Sequence, residues 1–298
     1  MQRLTVEHRT TYRYRRPVNF GVHRLMFRPR ESHDLRLLDS RLVIRPAAQV
    51  NWLLDVFSNS VALVDFTEAG RELYFESIVV LDRYPDADPG FRIEPFAQTL
   101  PFSYPAREVP DLGRTIERHY SDPDRKLIEW TRRLLATNGN MDTEEFLIGV
   151  TRATKESFNY EVREEPGTQT PLETLERGTG SCRDYALFMM EAVRSVGLAA
   201  RFVSGYLYDA AIVGEASGVV GAGATHAWVQ VYLPGAGWVE FDPTNGSYGG
   251  TNLIPVAVAR EPGHAMPVSG TYKGEPEDFI EMEVVVEVRS MDAPPPAD

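Results

Sequence analysis

The sequence predicts an α+β chain in which an antiparallel β-sandwich-like domain precedes a domain of mixed helices and strands. Three observations carry this. Apolar and polar residues alternate over much of the first 83 positions, the pattern of half-buried strands. Six prolines then fall between Tyr84 and Pro110, which excludes long regular elements there. Beyond them, helical spacing and then strand spacing recur around the one cysteine of the chain, Cys182.

The first strand is read from Leu4, Val6, His8, Thr10, Tyr12 and Tyr14, which keep period two. Runs at Leu35–Ile44, Trp52–Phe57, Val61–Phe66 and Leu73–Leu81 follow between short breakers. Strands at such spacing predict a sandwich over residues 1–83. His8, His23 and His33 have no second ligand at a metal-binding spacing, so they are read as structural. Residues 84–110 are read as a proline-rich linker anchored by Phe91, Phe96, Phe102 and Tyr104. Residues 111–290 form the second domain, and 291–298, with three consecutive prolines, a frayed tail.

In the second domain, Asp122-Pro123 predicts a capped helix running to about Ala136. Asp142-Thr143-Glu144-Glu145 predicts another, with Phe146, Leu147 and Val150 inward. Residues Phe158–Val162 look extended, and Thr170-Pro171-Leu172-Glu173 starts a short helix ending at Gly178. Ser181 caps the next helix, with Cys182, Ala186, Met189, Val193 and Val196 on one face. Strands are expected at Ala200–Tyr208, His226–Leu233, Trp238–Asp242 and Ile280–Val288. The Gly- and Ala-rich loop Asp209–Ala224 is expected to move, with Gly205 as a hinge.

The totals exclude several classes. A net charge of -12 opposes a nucleic-acid partner, because the field repels phosphates. No run approaches the roughly 18 to 20 apolar residues that span a bilayer. The N-terminal residues show no apolar signal region. A single cysteine forms neither an intramolecular disulfide nor a thiolate-rich zinc site. The expectation is a protein of the cytoplasm that avoids membranes; oligomeric state is not readable.

Cys182 starts a helix, His226 starts a strand and Asp242 ends one. A lone cysteine is usually a small buried hydrophobe, and a strand histidine is usually structural. Their order points further. A free thiol is mostly protonated at neutral pH and needs activation, which a helix start and a neighbouring imidazolium supply. The imidazole in turn needs a carboxylate to fix its tautomer. Strand parity gives a condition: Asp242 shares the face of His226 only if the turn after Leu233 is odd in length, or a bulge intervenes. Gly180 is expected to leave room for a substrate backbone, and Asp184 to be a helix-start charge.

These stretches resemble the transglutaminase-like superfamily, in particular bacterial members with an N-terminal β domain. The resemblance lies in Thr170–Leu175, Gly178–Tyr185, Gly197–Leu207, Thr225–Trp228 and Pro234–Gly246, with His8–Tyr14 and Arg28-Pro29-Arg30 in the first domain. It implies a papain-like second domain with Cys182 as nucleophile, His226 as base and Asp242 as orienting carboxylate. It implies attack on a peptide or carboxamide carbonyl, a thioester, and transfer of the acyl group to water or an amine. The Cys182 backbone N–H is the first oxyanion candidate and Tyr160 the second. No cofactor or metal is implied. Arg183 and Ala186-Leu187 stand where many relatives carry Gln and a small-His pair. The alternatives are an N-acyltransferase using a thioester donor and an inactive peptide-binding module.

Overall fold

The computed structural model describes residues 1–84, 91–135, 141–163, 167–208 and 224–290. The long first strand, Gln2–Phe20, buries Leu4, Val6, His8 and Thr10 on one face, as its alternation requires. It pairs antiparallel with Gly70–Arg83, which pairs with Leu35–Arg45. A second sheet runs Val268–Ser269, His23–Leu25, Ser60–Phe66, Ala48–Leu54. Tyr14, Val18, Leu73 and Phe75 from the first sheet meet Leu25, Ala62 and Val64 from the second in one buried cluster. This is the sandwich expected of the first domain.

The last strand departs from the expected boundary. Phe279–Ser290 runs along Gln2–Phe20 from Leu4 to Tyr14, so the end of the 111–290 segment completes the first sheet. Its alternating pattern reveals a strand, while partner choice depends on a contact some 270 positions away. The strand His23–Leu25 was not expected; three residues are too short to show a period.

The second domain is built on an antiparallel sheet ordered Ser247–Tyr248, Gly237–Asp242, Thr225–Leu233, Ala200–Leu207, Leu253–Ala259. The helix Cys182–Arg194 packs on the strands Thr225–Leu233 and Ala200–Leu207, and its Ala186, Met189 and Val193 share one buried cluster with Val229, Val231 and Phe241. The expected single apolar face understates this helix, because every residue in it except Arg183 is buried. Its charges are satisfied internally. Glu191 bonds Arg194 at 2.9 Å and accepts the N–H groups of His119 and Tyr120. Arg194 also donates to the carbonyls of Thr115, Ala200 and Arg260. Burying paired charges of this kind requires such partners.

The helix expected from Asp122 starts later, at Lys126, because Arg125 is left-handed. Asp122 still acts as a cap, accepting from Ile128 N at 3.2 Å and, more weakly, from Leu127 N at 3.4 Å. The helix ends at Arg132, short of the expected Ala136, which lies outside the described residues, as do the tail and all but the last residue of the 209–224 loop. The linker is anchored by Phe91, Phe102 and Tyr104, whereas Phe96, also expected as an anchor, is exposed. Phe91 packs on Phe241 and Tyr248, and the Tyr104 hydroxyl accepts from Ala199 N and donates to Tyr232 O, both at 2.9 Å.

The β domain covers the open edge of the second-domain sheet. Asn59 donates to Val258 O at 2.7 Å and accepts from Val258 N at 2.9 Å, as a strand partner would. Arg30 N bonds Pro255 O at 2.8 Å, and Arg83 donates to the carbonyls of Leu253 and Gly250. His8 bonds the Tyr206 hydroxyl and Thr10 Oγ1, each at 3.0 Å; burial pushes its pKa down to about 3, so it sits there neutral.

Candidate active site

Two local devices hold Cys182. Strands Asn159–Tyr160 and Thr179–Gly180 pair in parallel, setting Gly180 beside Tyr160. The chain then turns into the helix whose first residue is Cys182. Ser181 donates its N–H and its hydroxyl to Asp184 Oδ2, both at 2.8 Å. Asp184 also accepts from Gln169 N at 2.7 Å and Arg163 Nη1 at 2.9 Å. The helix-start charge therefore shapes the turn that presents the cysteine. As the first helical residue, Cys182 carries an N–H with no intrahelical acceptor.

Gly180 does not open space for a substrate. A Cβ there would lie 3.0 Å from Asp184 Cβ and 3.3 Å from the Tyr185 ring. The missing side chain is filled from within by the helix that follows.

His226 and Asp242 come from adjacent strands. Leu233 pairs with Gly237 across a three-residue turn, and Val229 with Phe241. The odd connection puts Asp242 on the sheet face of His226, and the two side chains bond, Nε2 to Oδ2 at 2.8 Å. Asp242 also accepts from Thr244 N at 2.9 Å, Asn245 N at 3.3 Å and Asn245 Nδ2 at 2.8 Å. Burial raises its pKa, but His226 and Asn245 outweigh burial and hold it below the usual carboxylate range. An ionised Asp242 only accepts, so His226 Nε2 carries the shared proton.

Burial pulls the His226 pKa down. Asp242 reverses this, the Cys182 thiol adds to it, and the result is raised to about 10. The thiol therefore borders the imidazole. Nδ1 is buried without a hydrogen bond of good geometry, and with Nε2 engaged it is the nitrogen that can serve the thiol. The Tyr160 hydroxyl also reaches the thiol; burial first, then the charge and hydrogen bond of Cys182, push its pKa up. The structure thus brings Cys182, His226, Asp242 and Tyr160 into one place.

Residues 4–82 match the bacterial transglutaminase-like N-terminal region, and residues 129–243 match the transglutaminase-like superfamily. Residues 129–243 thus carry the transglutaminase-like core, and residues 4–82 the N-terminal region found with it in bacteria. Similar chains include two uncharacterized mycobacterial proteins. ML0607 of Mycobacterium leprae is 25% identical over 97% of this chain and 99% of its own length. Rv2569c of Mycobacterium tuberculosis is 28% identical over 96% of this chain and 92% of its own. A crystal structure from Cytophaga hutchinsonii, provisionally assigned as a cysteine protease, superimposes with a TM-score of 0.71 at 16% identity, covering 98% of this chain and 92% of that one. That likeness shows the fold.

Sequence reasoning missed the side chains that surround the imidazole. Trp228 stacks on His226 with ring centroids 6.0 Å apart and planes 27° apart. Gly205 pairs opposite His226, and a Cβ on it would lie 2.1 Å from Ile254 O and 2.7 Å from the Trp228 ring. Gly205 is therefore a close-packing glycine inside a strand, not a hinge. The available signal was position: Trp228 and Asn245 stand two and three residues beyond His226 and Asp242. Among the described residues, no group of three or more His, Cys, Asp or Glu is arranged to hold a metal, and no helix is long and apolar enough to cross a membrane.

Proposed function

We propose that this protein is a thiol enzyme that cleaves or transfers the acyl group of an amide, with Cys182 as nucleophile, His226 as base and Asp242 as orienting group. The observation that carries the reading is the His226 Nε2 bond to Asp242 at 2.8 Å, which leaves Nδ1 for the adjacent thiol. The proton of Cys182 rests on His226, stabilised by the ionised Asp242. The thiolate attacks the carbonyl carbon of a peptide or protein carboxamide. The resulting oxyanion accepts hydrogen bonds from the Cys182 N–H and the Tyr160 hydroxyl. As the C–N bond breaks, His226 Nδ1–H passes its proton to the departing amine, and an acyl thioester remains. Water, or a second amine, then loses a proton to His226 and attacks the thioester, which releases the acid or the new amide and restores Cys182.

Hydrolysis is the favoured outcome, because water reaches any open thioester. The test is release of ammonia or amine from glutamine peptides and peptide amides, with and without added primary amine. Wild type should turn over and form a hydroxylamine-trappable thioester. Cys182→Ala should do neither while unfolding at the wild-type temperature. Turnover retained in Cys182→Ala would sink the reading.

A further inference from the structure

The ring stacked on His226 has one polar atom, and one carboxylate holds it. Trp228 is fully buried, and its Nε1–H donates to Glu240. The Glu240 carboxylate also accepts from Gln230 Nε2 at 2.5 Å. Gln230 Oε1 accepts from Arg201 Nε at 2.6 Å, and the Arg201 guanidinium lies 4.1 Å over the Trp238 ring. Gln230 and Glu240 are directly paired across the strands that carry His226 and Asp242. A chain of hydrogen bonds and ring contacts thus runs along one sheet face from Trp238 to the imidazole.

Glu240 keeps some exposed surface as a residue, but its carboxylate is withdrawn from water. Burial pushes its pKa up to about 7 against the pull of Gln230, Trp228, Arg201 and Arg83. A carboxylate placed so deeply is costly unless its donors need it. Asp242 engages only the Nε2 edge of the imidazole. One hydrogen bond fixes a direction but leaves the ring free to rotate about it. A flat, immobile neighbour removes that rotation. Trp228 is such a neighbour, and Gly205 leaves the space it occupies.

We infer that Glu240 is a positioning residue for the triad: by holding the indole N–H of Trp228, it fixes the ring that sets the plane of His226 toward Cys182. The inference rests on the triad reading above. It assigns Asp242 to the direction of the imidazole and the Glu240–Trp228 pair to its tilt.

The test is the rate of Cys182 alkylation by iodoacetamide against pH in the full chain. Glu240→Ala should slow alkylation at pH 7 by about tenfold. Glu240→Gln should restore most of the rate, since its amide oxygen still accepts the indole N–H. Trp228→Phe should match Glu240→Ala, and the double variant should be no slower than either single one. The pH–rate curve of Glu240→Ala should shift toward that of His226→Ala. Wild-type rates in Glu240→Ala or Trp228→Phe, with His226→Ala slow, would overturn the positioning role alone. Equal losses in Glu240→Ala and Glu240→Gln would do the same, as would losses that add in the double variant. A wild-type rate in His226→Ala would overturn the triad reading and this one together. If Glu240→Ala fails to fold, Trp228→Phe decides, because it keeps a flat ring in the core and removes only the N–H and one ring.

Discussion

Leu233 lies opposite Gly237, and this pairing decides where Asp242 points. With a turn one residue longer or shorter and a regular ladder, Asp242 would face away from His226. The observed register instead gives the imidazole a carboxylate at 2.8 Å.

Asp242→Asn should therefore uncouple the base while leaving the shape of the site. Burial would then be opposed only by Cys182, the smaller of the two raising influences, so the His226 ring should titrate well below about 10. Nuclear magnetic resonance of the ring protons measures this directly. Cys182 alkylation at pH 7 should fall at least about tenfold, the change that one unit of imidazole pKa corresponds to. An unshifted titration would mean that Asp242 does not set the charge of His226.

Stability should carry the same signature. The folded His226 pKa, about 10, lies above its ordinary 6.5, so the folded state binds this proton more tightly. Its contribution is full below pH 6.5 and is lost as pH rises through about 10. His8 has the opposite sign. Burial depresses it to about 3, so its contribution is full above pH 6.5 and is lost as pH falls toward 3. Urea midpoints should show the alkaline loss reduced in His226→Gln and the acid loss reduced in His8→Gln. Identical pH profiles in wild type and variants would refute the assignment.

Gly205→Ala should be strongly unfavourable for so small a change. The added carbon meets backbone, Ile254 O at 2.1 Å, as well as the Trp228 ring at 2.7 Å. Overpacking of this kind costs about 1–3 kcal/mol. The urea midpoint should drop with an unchanged slope, and Cys182 alkylation should slow because Trp228 is displaced against His226. A hinge glycine would instead leave both quantities near wild type.

Asn59→Ala should loosen the β domain from the second-domain sheet. It removes both bonds to Val258, at 2.7 and 2.9 Å, and leaves that buried backbone unpaired. Stranded groups of this kind cost about 1–3 kcal/mol. Hydrogen exchange at Val258 and along Leu253–Ala259 should accelerate, while the sandwich interior keeps its protection. Unchanged exchange at Val258 would show that Asn59 is not what covers this edge.

Much of this was legible in order along the chain. The alternation from Leu4 to Tyr14 specified a half-buried strand, because side-chain period follows from local backbone geometry. The boxes at Thr170–Glu173 and Ser181–Asp184 marked helix starts, because capping satisfies N–H groups within three residues. Even the condition on Asp242 was a parity statement about a single turn. The burial of Glu191 and Arg194 was not legible, because a charge at helical spacing looks solvated until distant partners are known.

The sequence by itself determined the type of most longer elements, the caps at Thr170 and Ser181, and the order of thiol, imidazole and carboxylate, since these depend on residues a few positions apart. Only the tertiary structure decided the return of Phe279–Ser290 to the first sheet, the Asn59 clasp on Val258, and the Trp228–Glu240 support behind His226. These depend on which surfaces meet once apolar faces are buried, and a one-dimensional pattern records that a face is apolar without recording what covers it.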